Sequence, residues 1–267
     1  MPSVRSHDGT ALAFEQRGAG PPLILVDGAL CHRAMGPGTP LARLLAREFT
    51  VFSYDRRGRG ESTNHRPYAV EREIEDLRAV IGVAGGSVRV WGMSSGAALA
   101  LEAARAGGSI AKLALYEPPF IVDASRPPIP ADIVAQLTTL VEDDRRSDAV
   151  RLFLRHMGAP AIAIAVMRLL PLWRKLTAIA HTLPYDMSIV TPYQAGTPLP
   201  DGRWKDVRIP TLVMVGGKSP AWFHHGTQAL ADALPLATHR VVHGQTHNVR
   251  PRSLARPLTE FFNSQGR

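Results

Sequence analysis

The chain has 267 residues, of which 45% are hydrophobic, and its 31 Lys and Arg against 23 Asp and Glu give a formal net charge of +8. That length allows one sizeable α/β core with room for an insertion, and the composition is that of an ordinary globular chain rather than a disordered one. The polar start, Met1 to Thr10, does not read as a signal peptide, no long apolar run predicts a membrane span, and the lone Cys31 excludes an internal disulfide, so a cytoplasmic location is expected.

In chain order, residues 4–6 and 11–15 read as a hairpin around Asp8-Gly9, and residues 23–26 as a short buried strand leading into the loop Asp27 to Cys31. A helix over 41–47, a strand over 50–54 and an amphipathic helix over 70–83 follow. Residues 87–91 form a strand that runs through Gly92-Met93-Ser94-Ser95-Gly96 into an alanine-rich helix over 97–104, and 110–116 is the next strand. After Pro210 come strands over 211–215 and 240–242, separated by a helix over 222–234, and a last helix ends near Phe262. Repeated β-then-α units predict a mainly parallel sheet covered on both faces, with its ligand site at the carboxyl ends of the strands.

From Pro118 to about Asp206 the alternation stops, and helices are predicted over 133–142, 147–157, 161–170 and 173–182. The division expected is a core of residues 1–119 and 206–267 with a helical cap of 120–205. The most apolar part, 159–170, is expected to pack over a site rather than lie on a membrane surface, because Arg168 alone supplies a polar flank there. Nucleic acid is not an expected partner. Only Lys112, Lys175, Lys205 and Lys218 are lysines, the arginines are scattered, and no basic face with interleaved aromatics is visible.

A serine on a tight strand-to-helix turn has its hydroxyl pushed out of the sheet beside the amides of the helix start, so a nucleophile and part of an oxyanion site arise together. Gly92 and Gly96 flank Ser94 where a Cβ would collide with a neighbouring element. A neutral hydroxyl also needs a base that accepts its proton and later returns it, which an imidazole does near neutral pH.

Four segments resemble the α/β-hydrolase fold family: Val26-Asp-Gly-Ala-Leu30, Tyr54-Asp-Arg-Arg-Gly-Arg-Gly-Glu-Ser62, Gly92-Met-Ser-Ser-Gly96 and Gly244-Gln-Thr-His247. The resemblance covers nearly the whole chain. It implies a mainly parallel eight-stranded sheet flanked by helices with an inserted helical cap, Ser94 as nucleophile and His247 as general base. His224, His225 and His243 are weaker candidates for the base. The backbone N–H groups of Ala29 and Ser95 are the implied oxyanion hole, with Asp27 standing where relatives often carry histidine.

The acid departs from the common pattern. Many relatives place an aspartate after the strand corresponding to 211–215, whereas Gly216-Gly217-Lys218-Ser219 puts a serine there, and no Asp or Glu occurs from Val207 to Ala231. Some relatives carry the acid at the end of the preceding core strand, which here is Glu117 before Pro118-Pro119; Asp123 and Asp232 are the fallbacks. Ser219→Ala is expected to change little. Asp55 and Arg57 are expected to brace loops, and Cys31, His32, Tyr185 and Trp222 are candidate pocket walls.

The expectation is a serine hydrolase that cleaves a carboxylic ester, lactone or thioester through an acyl-enzyme on Ser94. A small, lipophilic acyl substrate is expected, with no cofactor and no metal. A C–C bond hydrolase on the same residues, and a catalytically silent binding protein that keeps the fold, are the alternatives. The oligomeric state stays open.

Overall fold

The computed structural model describes residues 2–264. Its centre is one eight-stranded sheet: β1 (Ser3–Arg5), β2 (Ala11–Arg17), β3 (Pro22–Val26), β4 (Thr50–Tyr54), β5 (Val88–Met93), β6 (Ile110–Tyr116), β7 (Thr211–Gly216) and β8 (Ala237–Val242). The spatial order is β1-β2-β4-β3-β5-β6-β7-β8. β1 pairs antiparallel with β2, and β2 with β4; every other pairing is parallel.

Near-continuous apolar strands such as Pro22-Leu-Ile-Leu-Val26 are what a sheet buried on both faces requires, because successive side chains point to opposite sides. Leu23 and Leu25 meet Leu41 and Leu45 of α1 (Gly38–Leu45), together with Leu254, Leu258 and Phe262 of α10 (Pro251–Asn263). Ile24 and Val26 belong to the opposite core, which takes residues from α2 (Val70–Val83), α3 (Ser95–Arg105) and α9 (Ala221–Ala233).

Between β6 and β7 the chain forms a helical insert: α4 (Ile133–Glu142), α5 (Arg146–His156), α6 (Ala161–Met167), α7 (Pro171–Ala178) and α8 (Leu183–Val190), with 3₁₀ turns at Ala180–Thr182 and Thr191–Tyr193. Two differences from the sequence reading matter. The apolar stretch around α6 is not packed inward; Ile164 is the one buried side chain of that helix. And α8 lies beyond the last helix expected in the insert; Pro184 sits in its first turn, where a missing N–H costs nothing. α8 is buried on nearly every side and carries Asp186 into the interior.

Candidate active site

The parallel strands end together along one edge of the sheet, and the segments leaving them supply the site. β3 leads to Asp27–Leu30, β5 to Ser94, β6 to Glu117, β7 to Gly216–Ser219 and β8 to the His247 loop. Close approach of these segments fixes the glycines. A Cβ on Gly96 would lie 2.3 Å from the Val26 carbonyl oxygen, and one on Gly92 would lie 2.6 Å from that of Gly96. Gly28 also comes close to the nucleophile candidate, since a Cβ there would lie 2.9 Å from Ser94 Cβ.

Ser94 has φ 55° and ψ −126°, a left-handed conformation that non-glycine residues rarely adopt and that costs on the order of 1–3 kcal/mol. Its amide donates to the Tyr116 carbonyl at 2.9 Å, and its own carbonyl accepts from Ala97 and Ala98 at the start of α3. The neighbouring Ser95 hydroxyl is engaged, donating to Asp186 Oδ1 at 2.7 Å. Among the described residues the Ser94 hydroxyl has no hydrogen-bond partner, His247 included. Of the two adjacent serines, the strained one therefore presents the free hydroxyl.

Glu117 is fully buried at the end of β6, and its carboxylate accepts three hydrogen bonds. Oε2 receives His247 Nδ1 at 2.8 Å; Oε1 receives the Gly216 amide at 2.7 Å and the Ser219 hydroxyl at 2.5 Å. A buried carboxylate needs such donors to replace its water. Ser219, in the loop after β7, thus serves Glu117. Its hydroxyl is thereby engaged in the same hydrogen-bond set as His247 and the Gly216 amide. With Nδ1 on a carboxylate, the His247 tautomer leaves Nε2 as the basic nitrogen. Phe223 stacks on the imidazole at 4.8 Å between centroids, and Tyr116 donates to the Thr246 carbonyl at 2.7 Å, so ring and loop are both held.

The other candidates fall in different places. Asp123 pairs at 2.6 Å with His225 Nδ1, and Asp232 accepts from Gln228, so neither fallback acid meets His247. Trp222 stacks at 3.7 Å on Phe223, one ring removed from His247. Tyr185 stacks at 3.9 Å on Tyr68 and lines a cleft of about 550 Å³ whose walls include neither Ser94 nor His247. Burial pushes the Cys31 thiol up to about 12, with the Asp27 carboxylate adding to the effect, which keeps it protonated near neutrality. His32 is lowered by burial. Asp55 accepts the Arg33 and Glu61 amides, and Arg57 pairs with Asp76 and Asp8.

Asp27 accepts the Gly38 amide at 3.1 Å, at the start of α1, and burial raises its carboxyl to about 7. Its role in the fold is to hold that helix end against the loop that follows β3.

Sequence reasoning missed a buried network of Arg56, Arg59, Glu73 and Asp186, two cations against two anions. Arg56 pairs with Glu73 at 2.7 Å and with Asp186 at 2.8 Å, and Arg59 pairs with Asp186 at 2.5 Å. Burial pushes the Asp186 carboxyl up, but Arg59 and Arg56 outweigh that and hold it below the usual carboxylate range. Arg59 also donates to the Gly28 carbonyl at 2.7 Å, and Arg56 to that of Asp27 at 3.3 Å. In a trans peptide the carbonyl and the following N–H point opposite ways, so gripping the Gly28 oxygen aims the Ala29 N–H the other way. Neither that amide nor the Ser95 amide donates to a protein acceptor among the described residues.

With this geometry in place, comparison with known proteins is decisive at the family level. The sequence matches the alpha/beta hydrolase family across residues 17–262. The chain belongs to that family. Membership supports hydrolase chemistry. An alpha/beta hydrolase from Sphaerobacter thermophilus is 50% identical, with 98% of this chain and 100% of that chain covered and a TM-score of 0.90. A thermophilic esterase from Thermogutta terrifontis is 22% identical, covering 98% and 97% with a TM-score of 0.73. An enol-lactonase from Burkholderia xenovorans is 18% identical, covering 98% and 100% with a TM-score of 0.70. At those identities the last two speak for the fold. No curated protein sequence matches the chain significantly.

No helix among the described residues is long and apolar enough to cross a membrane. Nor do three or more His, Cys, Asp or Glu side chains gather there in a way that would hold a metal ion.

Proposed function

We propose that the chain is a serine hydrolase in which Ser94 is the nucleophile, His247 the general base and Glu117 the orienting acid. The observation that carries the reading is the buried Glu117 carboxylate on His247 Nδ1 at 2.8 Å, at the same sheet edge as a strained Ser94 with a free hydroxyl. His247 Nε2 removes the hydroxyl proton as Ser94 Oγ attacks an acyl carbon, and the Ala29 and Ser95 amides take up the negative charge on its oxygen. The protonated imidazole, stabilised by Glu117, passes the proton to the leaving group. Water activated by the same nitrogen then releases the acid and frees Ser94.

The substrate class proposed is a carboxylic ester, lactone or thioester, in keeping with the esterase and the enol-lactonase among structures of the same fold. Residues 120–205 act in this reading as a cap on a core of 1–119 and 206–267.

A binding protein that has lost turnover is the second reading, and the lack of a Ser94–His247 hydrogen bond favours it. Hydrogen bonds of this kind are often long before substrate arrives, so the first reading keeps precedence. A fluorophosphonate probe separates the two. Labelling of the wild type and none of Ser94→Ala supports the hydrolase; a folded wild type that stays unlabelled overturns it.

A further inference from the structure

Between Asp148 and Asp186 the chain has no acidic residue, while it carries Arg151, Arg155, Arg168, Arg174 and Lys175. The same stretch places large apolar side chains of the helical insert in solvent. Ile162 is 80% exposed, Val166 55%, Leu169 85%, Leu170 50% and Leu172 41%. Five of the eight large hydrophobic residues exposed in this way among the described residues thus fall within 11 positions of α6 and the start of α7. Singly scattered apolar residues are ordinary on a surface, but a contiguous group marks a contact.

The charge around that group is mainly basic. Arg151, Arg155 and Arg168 line a cleft of about 210 Å³ together with Ala161, Ile164 and Ala165 of α6. Arg168 and Arg174 line a second cleft beside Trp173, together with Arg146 and the Asp144 that pairs with it. Arg151 pairs with Asp148, whereas Arg155, Arg168, Arg174 and Lys175 have no acidic partner among the described residues. Along the sequence Arg168 alone flanks the apolar run; folding α5 against α6 adds two more guanidiniums. A second copy of the chain docking through this face would bring like charges together. A surface that is anionic outside and apolar beneath satisfies both features, since guanidinium groups fit phosphate oxygens in pairs.

We propose that the exposed α6–α7 segment docks on an anionic phospholipid surface. Ile162, Val166, Leu169, Leu170 and Leu172 enter the boundary between headgroups and acyl chains, and the three-arginine cleft holds headgroup phosphates. This docking does not depend on the role of Ser94.

Co-sedimentation with phosphatidylglycerol vesicles and with phosphatidylcholine vesicles tests it, using the full chain and the double variants Leu169→Ser/Leu170→Ser and Arg155→Glu/Arg168→Glu. These side chains lie at the surface, so thermal unfolding close to wild type checks that each variant is folded. Expected is binding to phosphatidylglycerol and not to phosphatidylcholine, weakened about tenfold or more by either double variant and by added salt. No binding to phosphatidylglycerol, equal binding to both vesicles, or wild-type binding by the arginine variant overturns it. So does a dimer, seen by light scattering, that Leu169→Ser/Leu170→Ser disperses, because the patch then belongs to a second copy.

Discussion

Ser219 donates its hydroxyl hydrogen to Glu117 Oε1 at 2.5 Å, across 102 residues of chain. The loop after β7 thus supplies a donor to a carboxylate held at the end of β6. Ser219→Ala leaves Oε1 with the Gly216 amide as its remaining donor. Losing one partner of a buried carboxylate costs about 1–3 kcal/mol, so the expected outcome is a lower melting temperature in a thermal scan. Fluorophosphonate labelling should slow several-fold without being abolished.

Ser219→Asp should be worse than Ser219→Ala. It sets a second carboxylate against Glu117 where the native contact is a donated hydrogen bond, and two buried carboxylates cannot both ionise at that distance. Removing the first charge with Glu117→Gln in the same chain should return part of the lost stability. The two substitutions are then non-additive in urea melts; simple additivity would show that the two positions do not interact.

Glu117→Gln alone should slow labelling of Ser94 by about 10³–10⁴-fold while the protein stays folded. The amide group has one oxygen for the Gly216 and Ser219 donors, which turns its NH₂ toward His247 Nδ1. The imidazole then carries its proton on Nε2, the nitrogen that has to accept one. Labelling at the wild-type rate would remove Glu117 from the mechanism.

Asp186→Asn should destabilise the fold by about 3–5 kcal/mol, because Arg56 and Arg59 keep their charges in the interior with one counter-charge gone. The pH dependence has a defined sign. The folded Asp186 carboxyl lies below its usual value of 3.8, so its contribution is present above 3.8 and is lost as the pH falls below it. Thermal scans taken down in pH should show the gap between wild type and Asp186→Asn closing under acid conditions.

Asp27→Asn has the opposite sign. Burial raises that carboxyl from 3.8 to about 7, so across this window the folded protein keeps a proton that the unfolded chain has released. Wild-type stability from this group therefore falls as the pH rises from 3.8 to about 7 and is level above. Asp27→Asn retains an oxygen for the Gly38 amide and carries no charge. Its melting temperature should overtake wild type through that window. The gain is a few kcal/mol at most, since each tenfold change in proton affinity is worth about 1.4 kcal/mol. A constant offset at all pH values would rule out ionisation of Asp27 as the cause.

The parts of the fold that were legible are those where one segment carries its own signal. The apolar strands before Asp27, Asp55 and Ser94 announce a buried sheet, the glycines at 92 and 96 announce a tight turn, and Glu117 stands before two prolines at a strand end. The pairing of Glu117 with His247 was open to inference only because the neighbouring acid position was empty. What stayed hidden depends on pairs far apart in the chain. Arg59 and Asp186 are 127 residues apart, and neither has a local pattern that marks it as buried. Apolar content alone also does not say which way a helix faces; residues 161–170 read as a covered helix and proved largely exposed.

The grip of Asp186 on Arg56 and Arg59 limits how freely the helical insert can be exchanged. Transplanting an insert from another protein onto this sheet would strand the Arg59 guanidinium in the interior, and leave Arg56 with Glu73 alone, unless the donor brought a carboxylate to the same spot. Insert and core are therefore expected to vary as a matched set, and a chimaera should fold when the new insert supplies a carboxylate for Arg59 or when that arginine is replaced along with the segment that neutralises it.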